Sequence, residues 1–482
     1  MTRLLHTPAD LDATAVLRVA DGDGVALADD LVDALTASRA ATLAALEQAG
    51  PVYGVTTGMG MLANLAVGTD AATYQDDMML ARAVGARPWL DARTTRAVVA
   101  VRLRTLLEPE AGVSPDLAHA LVALLDDAPQ VPSRGSGSAG EIVPLAHLGL
   151  ALRGRYSFAA KEGVAFLQGV PVSTARAVLL GHDARTLAAQ ALVAAAGSIA
   201  QVRAPRDPYH PSLARADDVL VQVHEVLLDL AGGEAAPRML QAPVSFRVVG
   251  PAVAALLRAV TRLDEAVDRS LDGVTPSPAL VEGRFLGTAG FDGWELAAAM
   301  DAVRTAATHL AETTTARLHR LLDARVTGLP PQLSAEPGRQ AGLVAVQKRA
   351  VGLVHELRVS AAPASIGAME TSAGQEDVQS FGLEAAAALD HALGVLRDVT
   401  ACELLALHQA RLLDDTGPHG SPGLQTVLHK GSQCVSQDAN DRPFGVDVES
   451  ISHVLGVGWA HDVLDGPPGA PSHTHPTTDS NA

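Results

Sequence analysis

A mainly α-helical fold built on long helices, with a smaller mixed region at the N-terminus, is what this sequence predicts. Three observations carry that prediction. The 482 residues are 48% hydrophobic but only 3% aromatic, and Ala, Leu and Val supply much of the apolar content. Such small and medium side chains let helix axes approach closely. Apolar residues recur at i, i+3, i+4 and i+7 through long segments that follow residue 180. Arg, Asp, Glu and Gln interrupt those segments at helical spacing, so no run of about 18 uninterrupted apolar residues marks a membrane span.

The elements follow in order. Residues 1 to about 60 read as mixed: a short apolar stretch (AVLRVAD), a DGDG turn and a helix from about Asp30 to Ala49, which leads into PVYGVTTGMG. From about 70 to 130 the pattern is helical. A Gly/Ser loop, Arg134 to Glu141, comes next. Helices are then expected over 183–203, 251–271, 293–326, 338–360 and 380–413. As one helix, Gly293 to Val326 would span about 50 Å. A helix of that length implies an elongated bundle whose exposed apolar faces need partner subunits. From Asp414 the chain is rich in Gly, Pro, Ser and His, and its tail from about residue 466, GPPGAPSHTHPTTDSNA, reads as disordered. Three regions result: 1–180 with both loops, 181–413 as the long-helix bundle, and 414–482.

The formal net charge is −18, which argues against nucleic acid or an anionic membrane as the main partner. Cys402 and Cys434 cannot build a disulfide framework and suit a reducing cytoplasm. The start, MTRLLHTPADLDATAV, has no apolar signal-peptide core, so a cytoplasmic location is expected. His473 and His475 sit in the tail, where chance or weak contact outweighs a metal site. No metal is expected.

Two stretches carry chemistry. Arg134 to Glu141 reads RGSGSAGE directly before an apolar helix. It can cradle an anion at the helix N-terminus, react with itself as a backbone, or be a tight turn. The lack of a Lys in G-K-(S/T) and of a preceding strand argues against a nucleotide loop. Tyr53 lies in YGVTTGMG, where nearby glycines make the backbone permissive. A tyrosine there can serve as a general acid or base if its pKa is lowered, or it can simply pack in a turn.

The Tyr53 stretch resembles the Y-G-(I/V)-N-T-G-F-G motif of the aromatic amino acid ammonia-lyase family, the histidine, phenylalanine and tyrosine ammonia-lyases and their aminomutase relatives. LPPQLSAEPGRQAG (329–342) is similar to the family's L-P-x-x-L-x-x-x-P-G-x-x-x-G. TSAGQEDVQSFG (371–382) is similar to T-S-A-x-Q-E-D-x-x-S-M-G, and GEIVPLAHL (140–148) to G-D-L-A-P-L-A-H-L. The resemblance implies a bundle of the ammonia-lyase/fumarase-like type. It also implies a homotetramer whose active sites draw on more than one subunit.

In that family the loop before the helix holds Ala-Ser-Gly, which cyclises and dehydrates to a methylidene-imidazolone. Here the positions are Ser138, Ala139 and Gly140. The central residue has no hydroxyl to lose, and the loop is one residue shorter between Pro132 and Glu141. Gly135-Ser136-Gly137 and Gly137-Ser138-Ala139 remain as shifted alternatives, but the prosthetic group is not expected. Other positions depart as well. The family's substrate-contacting histidine is Arg82 here, and its N-G-T-Q segment becomes Gln168-Gly169-Val170-Pro171. A second active-site tyrosine is Val244, while Arg247, Phe291, Gln375 and Glu376 keep the family residue.

Tyr53 and Glu376 are therefore the expected acid–base pair. Arg82, Gln168, Arg247, Phe291 and Gln375 are the expected substrate contacts, with Arg247 clamping a carboxylate by bidentate hydrogen bonds. The expected activity is proton transfer on a small carboxylate-bearing substrate, by elimination, addition, cyclisation or isomerisation, in specialised bacterial biosynthesis. The alternatives are a true ammonia-lyase or aminomutase with a shifted triad, and a catalytically silent ligand-binding homologue.

Overall fold

The computed structural model describes residues 1–68, 71–127, 129–233 and 236–464. The tail expected to be disordered, with His473 and His475, lies outside the described residues. The chain is mainly helical, with a few short strands. It divides into two compact units. One comprises Met1–Ala184, Arg258–Ala307 and Arg358–Leu393, the other Arg185–Leu257, Thr308–Leu357 and Gly394–Ala482. The longest helices each contribute residues to both units.

The first unit opens with a parallel strand pair, Thr2–Leu5 beside Gly24–Leu27, in register Thr2 to Gly24. The stretch AVLRVAD between them is helical, Ala13–Ala20, because Asp12 caps it by accepting from the Ala15 amide at 2.7 Å. Its Val16 and Val19 are buried. The helix Asp29–Gln48 follows. The helical pattern from 70 to 130 resolves into Ala71–Leu80, Ala92–Leu106 and Pro115–Leu124. Every residue from Ala97 to Leu106 is buried, so Ala92–Leu106 is the central helix of this unit. Asp91 caps it at the Thr94 amide, 2.7 Å away.

A hairpin that sequence periodicity did not suggest joins Ala279–Val281 to Arg284–Leu286. Its two turn residues, Glu282 and Gly283, both take positive φ (48° and 73°). That is the twist a two-residue hairpin needs.

The long helices differ from expectation mostly at their ends. The segment expected at 183–203 begins earlier, as Pro171–Gln201, with Pro171 at the first helical position where its missing N–H is harmless. Val249–Asp272 and Gly382–Leu413 match their expected spans closely. Gly293–Val326 is not one helix. It runs Trp294–Leu321, breaks, and resumes as Ala324–Thr327, since Asp323 turns its side chain to the Arg325 amide (3.0 Å) and starts a new turn. The expected helix 338–360 begins only at Val344. Gln332 and Leu333 (φ 58° and 52°) and Gly342 (φ 60°) hold the preceding LPPQL segment as a turn.

In the second unit, Arg317 and Glu403 form a fully buried ion pair closed by two 2.9 Å bonds, with Ser198 donating to the same carboxylate at 2.6 Å. The stretch Glu162–Gln201 is long and apolar enough to cross a membrane by length and composition alone. Its most apolar window is 94% buried within the protein, as in a core helix.

Candidate active site

A cavity of about 810 Å³ lies in the first unit, lined by Tyr53, Arg82, Ala139, Gly140, Gln168, Phe291, Gln375 and Glu376 among others. Segments far apart in sequence thus converge on one space. Apart from Ser138, the expected residues missing from its lining reduce to Arg247. That residue belongs to the second unit and lines a separate pocket with Asp207, Leu240 and Gln241.

Tyr53 stands on a turn closed by Val55 and Thr56 amides bonding to the Val52 carbonyl. Gly54 must be glycine here: its φ is +67°, and a Cβ would lie 2.5 Å from Val164 Cγ2. Buried Gln75 fastens the turn from beneath. Its Nε2 donates to the Gly54 carbonyl (2.9 Å) and its Oε1 accepts from the Val164 amide (3.1 Å). The Gly60 amide donates to the Tyr53 phenolic oxygen at 2.9 Å. The tyrosine therefore accepts from the backbone while its own proton stays free for another acceptor.

The Thr371–Glu376 turn supplies the opposite group. The Thr371 amide donates to the Glu376 carbonyl at 2.8 Å. Buried Gln379 pins the loop by accepting from the Met369 amide (2.9 Å) and donating to the Glu376 carbonyl (3.1 Å). The Glu376 carboxylate accepts from Thr371 Oγ1 at 3.2 Å and from the Ala139 amide at 3.4 Å. Sequence reading missed Gln75 and Gln379. Their signal, a polar side chain buried beneath a cavity-lining turn, exists only once the fold is formed.

The C-terminal half of the Gly/Ser loop is held by hydrogen bonds. Ser138 Oγ donates to the Gly140 carbonyl at 2.5 Å, and the Glu141 amide donates to the Gly169 carbonyl at 3.1 Å. A Cβ on Gly140 would come within 3.2 Å of that same oxygen and 3.5 Å of Phe291. Buried Arg102 supports the Gln168–Gly169 turn from behind by donating to the Gln168 carbonyl. Burial pushes its guanidinium down to about 9.

Glu141 caps the helix Pro171–Gln201, accepting from the Val172 and Ser173 amides at 2.6 and 2.8 Å and from the Ser173 hydroxyl. Burial nevertheless pushes its carboxyl up to about 7 from 4.5. A carboxyl raised on folding favours the folded state most at low pH. Its contribution is lost as pH rises from 4.5 through about 7. We expect denaturant-measured stability to fall across that window by roughly 1–3 kcal/mol, and Glu141→Gln to flatten the slope. An unchanged slope in Glu141→Gln would assign it to other groups.

Among the remaining residues, Asp272 pairs with Arg104 at 2.9 Å and Asp292 bonds the Trp294 amide at 3.1 Å. Both act within the fold. Among the described residues no three His, Cys, Asp or Glu side chains gather to hold a metal ion. The Ser138-Ala139-Gly140 backbone, with a methyl at its centre, does not fit formation of a methylidene group. Dehydration needs a hydroxyl on that carbon.

The chain matches the family model described as aromatic amino acid lyase over residues 11–159 and 155–433. It is similar to the histidine ammonia-lyase of Geobacillus thermodenitrificans, 30% identical over 485 residues that cover 92% of this chain and 95% of the relative. The enzyme of that name from Aromatoleum aromaticum is 31% identical over 500 residues, covering 95% and 94%. Among solved structures it resembles the ergothioneine-degrading ergothionase of Treponema denticola, with TM-score 0.89 and 20% identity, covering 96% of this chain and 100% of that one. It also resembles the tyrosine aminomutase of Streptomyces globisporus, with TM-score 0.87 and 24% identity, covering 94% and 97%. The two structural likenesses speak to the fold.

Proposed function

Because the chain belongs to the aromatic amino acid lyase family and is a lyase-type enzyme, we infer that it works on that scaffold without the methylidene-imidazolone group. The observation that carries this reading is Ala139: its side chain has no leaving group where the electrophile would form. Its amide points at the Glu376 carboxylate instead. Chemistry then falls to the side chains of the cavity. Tyr53 moves the proton. Glu376 acts as the second acid–base group or holds a cationic part of the substrate. Arg82 binds an anionic group, and Gln168, Gln375 and Phe291 shape the space.

The substrate class is a small carboxylate-bearing molecule, and the reaction an elimination, addition, cyclisation or isomerisation in specialised bacterial biosynthesis. The range of this fold supports such breadth, since one neighbour degrades ergothioneine and another is an aminomutase. The assembly that fits is a homotetramer with shared sites, in which Arg247 of another copy serves as the carboxylate clamp. Exposed Met61, Leu62 and Val378 at the cavity support partner contact there. Two unpaired thiols, Cys402 and Cys434, are in keeping with a reducing cytoplasm.

Intact mass spectrometry of the purified protein tests the central claim. The expected mass is that of the unmodified chain. A loss equal to two waters, or conversion of histidine, phenylalanine or tyrosine to the corresponding acrylate, would overturn it. Sedimentation analysis reads the assembly, and a monomer at working concentration would exclude the shared-site arrangement.

A further inference from the structure

We propose that His147 is a positioning residue that sets where Arg82 stands in the cavity wall. Arg82 follows the helix Ala71–Leu80 at the start of an irregular strap, residues 81–90. Its guanidinium donates to the Met78 carbonyl (3.0 Å), and its own carbonyl accepts from the Val84 amide (2.9 Å). The strap is fastened next at Gly85, whose amide donates to His147 Nε2 at 3.0 Å. It approaches so closely that a Cβ on Gly85 would sit 2.5 Å from Pro132 Cγ and 3.1 Å from His147 Nε2. Further along, the Trp89 ring packs on the imidazole at 5.6 Å, tilted by 49°. The strap then pairs with the segment leading into the Gly/Ser loop, through Leu90 to Val131 (2.8 Å) and Ser133 to Pro88 (3.1 Å).

His147 lies midway along the helix Ile142–Leu152, which begins directly after Ala139, Gly140 and Glu141. One rigid helix therefore starts at the loop and, further along, holds the strap that carries Arg82. Between the Met78 anchor of Arg82 and the backbone pairs at Pro88 and Leu90, the one side-chain hydrogen bond among the described residues that ties the strap to this helix is the one from Gly85 to His147. The bond has a chemical requirement. Nε2 must carry a lone pair, so the imidazole is neutral with its hydrogen on Nδ1. Burial holds His147 below its usual 6.5, on the neutral side.

Of the charged groups on the helices packed around this one, Asp77 is exposed and Lys161 donates to the Ala111 carbonyl. Asp76 accepts from Ser157 and Phe158, and Glu162 from Ser114, Tyr156 and Ala159. Asp116 and His119 on Pro115–Leu124 are exposed. Arg82 and Arg87 lie on the strap, and Arg134 beyond it.

The role of Arg82 as the anion-binding group rests on the proposed function, but the strap can be read without substrate, so the two fail separately. In a Trp294→Phe, Trp459→Phe background, Trp89 fluorescence reports protonation of the imidazole beside it. Hydrogen exchange of peptide 82–90 reports the strap. On lowering the pH, fluorescence should quench and strap protection should fall with one shared midpoint below 6.5. His147→Leu should lower strap protection about tenfold at neutral pH. His147→Gln, whose Oε1 can accept from Gly85, should restore protection and abolish the pH dependence. Separate midpoints, or wild-type protection in His147→Leu, would overturn the proposal. Should His147→Leu fail to fold, the wild-type titration and His147→Gln decide it.

Discussion

Tyr53→Phe is expected to lower turnover by roughly 10²- to 10⁴-fold, the usual contribution of one positioned acid–base group, while leaving thermal stability near wild type. Phenylalanine keeps the ring and so the shape of the cavity. The substitution removes the oxygen that accepts from Gly60 and, with it, the proton that can move. Tyr53 is 36% exposed, so the amide left without a partner can turn to water at a cost of about 1 kcal/mol or less. The measurement is kcat on the substrate found by screening, beside a melting curve. Unchanged kcat would remove Tyr53 from the mechanism. A collapse of the melting transition would make it a structural residue instead.

Glu403→Ala is expected to produce the largest loss of stability, about 3–5 kcal/mol. It leaves the Arg317 guanidinium with no counter-ion at a position where both partners are fully buried. The remaining neighbours of that cation, the Thr314 hydroxyl and the Ser245 carbonyl, are neutral. Replacing both members of the pair with Met and Leu should recover most of the loss, because a buried ion pair contributes little beyond an apolar pair of similar volume. Chemical denaturation of both variants distinguishes the cases. A single variant as stable as wild type would mean that water reaches the site.

Much of the helical scaffold was legible because helical periodicity survives in one dimension. Val249–Asp272 and Gly382–Leu413 lie within two residues of their expected ends. Their termini gave way where a single side chain redirects the backbone. Asp323 restarts the chain after Leu321, and positive φ at Gln332 and Leu333 delays the next helix to Val344. Neither event alters the apolar pattern that periodicity reads. The hairpin at 279–286 escaped because its strands are three residues each, too short for alternation to stand out.

The sequence by itself determined the family, the mainly helical fold and the identity of the chemically able groups. It also determined that a methyl occupies the centre of the Gly/Ser loop, since a residue's covalent chemistry is independent of its neighbours. The tertiary structure decided which of those groups share a space. It brought Tyr53, Arg82, Ala139, Gln168, Phe291, Gln375 and Glu376 to one cavity and set Arg247 in a different pocket. It also showed that Gln75 and Gln379 fasten the turns that carry Tyr53 and Glu376, and that His147 accepts from the Gly85 amide. Those roles depend on hydrogen bonds between segments up to 89 residues apart, as from Gln75 to Val164. Distances of that kind exist only after packing has brought the segments together.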